Sequence, residues 1–321
     1  MSQKSFVVLV VALALSATLC AQGQAPGRGR AQGQAKGQPQ ERPDPHRIDM
    51  FLCDWHESMP HQTHGGIIER DILTQGDPQN PTKRCAVLSR ANHVSYATLT
   101  ARGGVAPMKL QGQQEVWYVV SGKGTLTSGG QTSDLFDGMA VFAPAGVEFS
   151  MKNTGDDDLN MYIINETTPA DFKPATKLVM KDMNLTPVQS TTGHWVHIVK
   201  NLFTPADGMA TGRTLIVAVD PMTVPEPHAH TTGSEELWIQ VKGKSLLFLG
   251  TQLRWQTAGM GYLAPPFAEQ TKENVTAGLS FPHSHINPGT EQVKFLYFQA
   301  GRQGGAVAAP ATAAAAAPAR P

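Results

Sequence analysis

Four blocks of the chain recur in the same order at fixed offsets, and this recurrence constrains the fold more than any single motif. Glu115-Val-Trp-Tyr-Val-Val-Ser-Gly-Lys-Gly returns as Glu236-Leu-Trp-Ile-Gln-Val-Lys-Gly-Lys-Ser, and Gly138-Met-Ala-Val-Phe-Ala-Pro144 returns as Gly259-Met-Gly-Tyr-Leu-Ala-Pro265, both 121 residues on. Asn153-Thr-Gly-Asp-Asp-Asp-Leu-Asn-Met-Tyr-Ile-Ile returns as Asn287-Pro-Gly-Thr-Glu-Gln-Val-Lys-Phe-Leu-Tyr-Phe at an offset of 134, so the second copy holds 13 extra residues between Pro265 and Asn287. Upstream, His64-Gly-Gly-Ile-Ile-Glu-Arg-Asp-Ile-Leu-Thr pairs more weakly with His194-Trp-Val-His-Ile-Val-Lys-Asn-Leu-Phe-Thr, which gives each unit a leading arm strand. The chain is therefore two copies of one module.

Within each copy, short β-branched and aromatic runs are punctuated by Gly, Pro, Asn and Asp, and long amphipathic helical windows are absent. This pattern predicts an all-β barrel or sandwich. The 321 residues leave room for two such domains with tails. Lys4, the apolar run from Phe6 to Ala17 and the small residues up to Ala21 read as a signal peptide over 1–21, too short to span a bilayer comfortably. Cys20 invites lipidation, but Leu19 occupies a position where such sites want a small residue, so soluble export to a secreted or periplasmic location is expected. Residues 22–47 and 301–321 lack the large apolar side chains needed to offset the entropy of ordering, and read as a disordered linker and an Ala/Pro tail.

Two cysteines remain after cleavage, Cys53 and Cys85; an oxidising compartment would let them pair, and two buried free thiols are the alternative. Asn165, Asn184 and Asn274 each open an N-x-T triplet, relevant only in a host that glycosylates. Lys+Arg and Asp+Glu number 26 each, so no net positive charge points to nucleic acid or an anionic membrane. A small-molecule ligand or a protein contact, a homo-oligomer included, fits this composition better.

His228-Ala-His230 follows Thr223-Val-Pro-Glu-Pro and continues an extended segment, in which side chains two apart face the same way. On the next apolar strand, Glu236, Trp238 and Gln240 share one face, so the carboxylate can join both imidazoles inside a barrel. With Gly243, Gly259, Pro265 and Asn287, these residues resemble the two cupin motifs, and the resemblance covers about residues 48–300. It implies two tandem cupin double-stranded β-helix jelly-roll barrels, a bicupin, over 48–168 and 169–300. It also implies a metal set of His228, His230, Glu236 and His283, the last lying four residues before Asn287. Glu235 satisfies the more usual gap from His230, His285 shares the strand face of His283, and Gln270 fills the histidine slot if the insertion is ignored, as ureidoglycine aminohydrolases use Gln. These alternatives stay open at the level of sequence.

Imidazole suits Zn, Cu, Fe and Ni, and the carboxylate widens the choice toward Mn, so one divalent transition metal is expected, Mn or Fe first. The insertion within Phe267 to Phe281 reads either as a lid or specificity loop or as an inert surface loop. In the first unit, Pro107-Met-Lys-Leu-Gln-Gly-Gln-Gln-Glu115 offers no histidine and Phe149 replaces the third, leaving Glu115 alone. That barrel is expected to bind no ion and to serve a structural role, with an apolar ligand pocket of Trp117, Phe149 and Met151 as the alternative. The arm histidines His56, His61, His64, His194 and His197 could form a separate metal site; surface or hydrogen-bonded core is the favoured reading. The resemblance implies an oxidoreductase, a dioxygenase or oxalate-degrading type, with Trp238, Gln240 and His285 lining the substrate pocket. A non-oxidative lyase, hydrolase or isomerase and a ligand-binding module without turnover are the rivals.

Overall fold

The computed structural model describes residues 48–189, 196–229, 234–250, 252–265 and 282–301. The expected signal peptide and linker, Cys20, His194, His230, Gln270, Asn274, the insertion and the tail lie outside these residues.

The described chain is built from strands, with short 3-10 turns at Ile48–Met50, Trp55–Glu57 and Pro205–Asp207. Each repeat forms a barrel from one large and one small sheet. In the first, Gln113–Ser121 lies between Met139–Ala143 and Leu159–Thr167, while Glu148–Asn153 lies between Gly104–Lys109 and Gly124–Ser128 in the facing sheet. In the second, Glu235–Lys242 lies between Met260–Leu263 and Val293–Ala300, and Lys244–Leu249 pairs with His283–Ile286 and Gln252–Thr257.

Strand alternation sorts the side chains into separate cores. Val116 and Tyr118 of one repeat and Leu237 and Ile239 of the other share a cluster with Phe142, Phe203 and Phe298, so the two large sheets face each other. The opposite faces line the two barrel interiors. Trp117 and Val119 pack with Phe149 and Met151 in the first, and Trp238 packs with Tyr262, Phe295 and Tyr297 in the second.

Edge strands are exchanged between the repeats. Leu52–Asp54, from the start of the first unit, pairs antiparallel with Met260–Tyr262 of the second, and Val179–Asp182, from the start of the second, pairs with Met139–Phe142 of the first. Each arm thereby covers a sheet edge that would otherwise expose unpaired backbone groups. Cys53, on the exchanged arm, is joined by a disulfide to Cys85.

The repeated asparagines have a structural task. Asn153 donates through Nδ2 to the carbonyls of Leu99, Thr100 and Asp157, and Asn287 donates to those of Val219, Asp220 and Glu291; each accepts from a glycine N–H two residues on. One side chain thus engages three carbonyls, the first at the end of a strand and the others in the turns beyond it. The repeated Gly122 and Gly243 sit at φ 91° and 84°, and a Cβ at Gly243 would stand 2.8 Å from Val293 Cγ1. Of the N-x-T asparagines, Asn165 is buried with its amide donating to Glu115 at 2.7 Å, which removes it as a glycan acceptor, whereas Asn184 is exposed.

Candidate metal centre

Three ligand-type side chains converge in the second barrel. His228 and His283 bridge their strands through paired backbone bonds, His228 N–H to His283 O at 3.2 Å and His283 N–H to His228 O at 2.9 Å, which places their rings 4.4 Å apart. Glu236 stands on the adjoining large sheet, where alternation turns it inward with Trp238. Potential ligand atoms of His228, Glu236 and His283 all lie within 4.8 Å of one another. Those of the expected four that fall among the described residues are thus brought together.

Hydrogen bonds prepare the donors. His228 Nδ1 lies 3.0 Å from the carbonyl of Glu226, an acceptor, so Nδ1 carries the proton and Nε2 keeps its lone pair. Glu236 Oε1 accepts from Trp238 Nε1 at 2.7 Å and lies 2.9 Å from His283 Nε2. A carboxylate that is 1% exposed among imidazoles gains from a cation, because leaving its charge in a low dielectric costs several kcal/mol. The donor set fits a borderline divalent transition metal.

Glu235 and Glu236 point to opposite sides of the sheet. Glu235 crosses to the other barrel, where it accepts from the N–H groups of Ser89, Arg90 and Ala91 and the Ser89 hydroxyl. The equivalent Gln114 accepts from Ala210 N–H at 3.2 Å and donates to Glu166 at 2.8 Å, so the repeats cap one another reciprocally. His285 does not join the group of three; its ring packs between Trp238 at 4.8 Å and Phe295 at 4.1 Å. Burial, reinforced by the imidazoles of His283, His197 and His228, holds His285 well below the usual histidine range. Gln240 is fully buried, and its amide is engaged by Ser245 Oγ at 2.9 Å and the Lys242 carbonyl at 3.4 Å.

Sequence reasoning passed over Tyr262, whose buried hydroxyl has no hydrogen-bond partner among the described residues, and Tyr297 beside Trp238. Burial first, then the charge of Glu236, raises both phenols well above their usual range. The repeat itself carried the signal: at the offsets above, Tyr262 replaces Val141, Gln240 replaces Val119, His285 replaces Met151 and His283 replaces Phe149. All four residues of the first barrel are buried apolar side chains, and Trp117, Phe149 and Met151 pack in one apolar cluster there. That barrel is packed where the second is polar. The arm histidines do not assemble a metal site among the described residues: His56 and His61 are exposed, His197 lies 5.7 Å from Trp238, and His64 enters the first barrel beside Glu115.

A family model, the cupin domain, matches residues 96–165, within the first repeat. No curated protein matches the chain. Among solved structures, a Pseudomonas aeruginosa protein described as glyoxylate-induced is 17% identical, with a TM-score of 0.60 over 77% of this chain and 86% of that one. AerE from Microcystis aeruginosa is 10% identical, with a TM-score of 0.55 over 78% and 99%. A variant of Bacillus subtilis oxalate decarboxylase is 11% identical, with a TM-score of 0.55 over 78% and 79%. At these identities the likeness establishes the fold. Among the described residues, no helix is long and apolar enough to cross a membrane.

Proposed function

For a chain with the two-barrel cupin fold, we propose an exported, metal-dependent oxidoreductase of the dioxygenase or oxalate-degrading type, acting on a small molecule in the second barrel. The observation that carries this reading is the convergence of His228, Glu236 and His283 in one interior, where the first barrel keeps only the carboxylate, Glu115, and has Pro107 and buried Phe149 in place of the two histidines. His230, two residues after His228 in the sequence, is the fourth proposed ligand. Mn or Fe is the proposed ion; the B. subtilis oxalate decarboxylase has Mn(II) centres, which supports Mn without assigning it.

A bound ion of this kind supplies Lewis acidity and, for Mn or Fe, a one-electron couple. The chain's own residues do the rest. Glu236 lowers the net charge of the site, the Glu226 carbonyl orients His228, and Trp238 presents an apolar wall that excludes water. Tyr262 and His285 hold buried polar atoms that have no partner among the described residues and would orient a polar substrate. Gln240, already bonded to Ser245, stiffens that wall rather than reaching a ligand. Export is supported by the disulfide, a bond of oxidising compartments.

The test is metal content of protein purified without chelator, followed by turnover under air and under argon with Mn or Fe supplied. About one equivalent of metal is expected, lost in His228→Ala and in His283→Ala, with turnover that requires air for a dioxygenase. Product formed equally well under argon would favour a non-oxidative lyase, hydrolase or isomerase. Bound metal and ligand with no product would reduce the protein to a binding module, and absence of metal would end the proposal.

A further inference from the structure

The first barrel has lost the histidines that surround Glu236 in the second, yet its own buried carboxylate is not bare. Glu115 is 2% exposed; its Oε1 accepts from Asn165 Nδ2 at 2.7 Å, and its Oε2 accepts from Trp117 Nε1 at 2.7 Å, the same bond that Trp238 makes to Glu236. The remaining side of Oε2 is taken by His64 Nε2 at 3.0 Å. His64 reaches this point from the arm, 51 residues upstream, by adopting φ 50° ahead of Gly65 at φ 72°. A non-glycine residue in the left-handed region is a conformation that its surroundings must hold in place.

Proton placement follows from the neighbours. Thr63 Oγ1 lies 2.5 Å from Glu69 Oε1 and 2.9 Å from His64 Nδ1. A hydroxyl has one proton, and the Glu69 carboxylate takes it, so Thr63 can only accept from His64 Nδ1. Glu69 Oε1 is itself 3.5 Å from Nδ1. At the other ring nitrogen, both oxygens of Glu115 already accept, Oε2 from an indole and Oε1 from an amide, so what faces His64 Nε2 is a lone pair. Both nitrogens of His64 therefore donate, and a doubly donating imidazole is a cation.

We propose that His64 is a resident imidazolium counter-ion, which neutralises Glu115 in the first barrel as a metal ion would neutralise Glu236 in the second, so that the first barrel is complete without metal. The charges around it are Glu115 on Gln113–Ser121, Glu69 on Ile67–Gln75 and His93 on Ala91–Leu99, the last with Nε2 3.3 Å from Glu69 Oε2; Asp71 acts on His93 from farther off. Ser95, Thr63, Asn165 and Trp117 are the uncharged partners. Burial alone would lower the His64 pKa, but the hydrogen bonds and charges of Glu115 and Glu69 outweigh it and push it up to about 10. Burial would raise Glu69, and its bonds to His64, His93, Ser95 and Thr63 instead hold it well below the carboxylate range. Against the lowering effect of burial, the hydrogen bond and charge of Glu69 raise the pKa of His93, which faces Glu69 from the other side.

Nitrogen NMR of histidine-labelled full-length protein reads the charge directly. With the resonances assigned by their loss in His64→Gln, both ring nitrogens of His64 are expected to remain protonated at pH 8.5; a ring found neutral there overturns the proposal. A second measurement separates charge from shape. His64→Leu should lower the unfolding midpoint by roughly 10 °C, because one partner of a buried pair is left unpaired, and adding Glu115→Leu should recover part of that loss. A midpoint unchanged in the single variant, or a double variant that loses the sum of both changes, also overturns it.

Discussion

Cutting the bond between Cys53 and Cys85 tests how the exchanged arm is held. The two cysteines are 32 residues apart, and closing a loop of that length removes unfolded-state entropy worth about 4 kcal/mol at 25 °C in the chain-entropy treatment. Other bonds keep the junction assembled when the sulfurs are separated: Arg84 donates to the carbonyls of Asp49 and Leu52 at 2.8 and 2.9 Å, and Cys85 N–H donates to Met50 O at 3.0 Å. The native contacts therefore persist, and the loss falls on the unfolded state. For a folded region of this size the expected fall in the unfolding midpoint is roughly 8–15 °C. Cys53→Ala/Cys85→Ala, and the parent protein under reductant, should show the same fall in thermal scans at fixed metal concentration. Hydrogen exchange should locate the earliest opening along Met260–Tyr262, the strand segment that the arm covers. Coincident unfolding of the oxidised and reduced proteins within about 2 °C would refute the argument.

Three further outcomes are expected. His283→Phe should abolish bound metal, while the reverse exchange, Phe149→His, should gain none because Glu115 is already paired and no histidine occupies 107–109; elemental analysis of both variants decides this. Glu235→Ala strands three backbone N–H groups and a hydroxyl between the barrels, so urea unfolding should show a loss of about 3 kcal/mol with metal content unchanged, and loss of the metal would return Glu235 to the ligand set. Because the folded His64 pKa lies above the ordinary 6.5, its contribution is full below pH 6.5 and disappears as pH rises through about 10, on the order of 5 kcal/mol in all; Glu69, depressed from 4.5, contributes above that pH. Their joint plateau lies between pH 4.5 and 6.5, and His64→Gln should flatten the alkaline decline in equilibrium unfolding, whereas parallel curves for the two proteins would sink the linkage.

Strand identity and inward facing were legible because both leave periodic marks. Alternation put Glu236 and Trp238 on one face, and the offset of 134 placed His283 opposite Phe149. Which of Glu235 and Glu236 turns into the second barrel depends on how that barrel packs against the first: Glu235 meets Ser89, which is 146 residues away. Spacing rules carry no information about such a partner. His64 was hidden for the same reason, since its link to Glu115 depends on a left-handed turn and on where an arm strand ends. The pairing of Cys53 with Cys85 needed a Cα separation of 5.9 Å that the chain order does not reveal. Tyr262 departs from Val141 in the repeat, but one aromatic among the apolar positions of a strand carries no mark that sets it apart.

The swapped edge strands make the two halves poor candidates for separation. A break after residue 168 would strip Leu52–Asp54 from the partner that receives it and Val179–Asp182 from the sheet it completes, leaving two fragments with open, sticky borders. Refolding at high concentration offers a different outcome: if each arm finds the complementary border on another molecule, every native pairing is made and an intertwined dimer results without a single new contact.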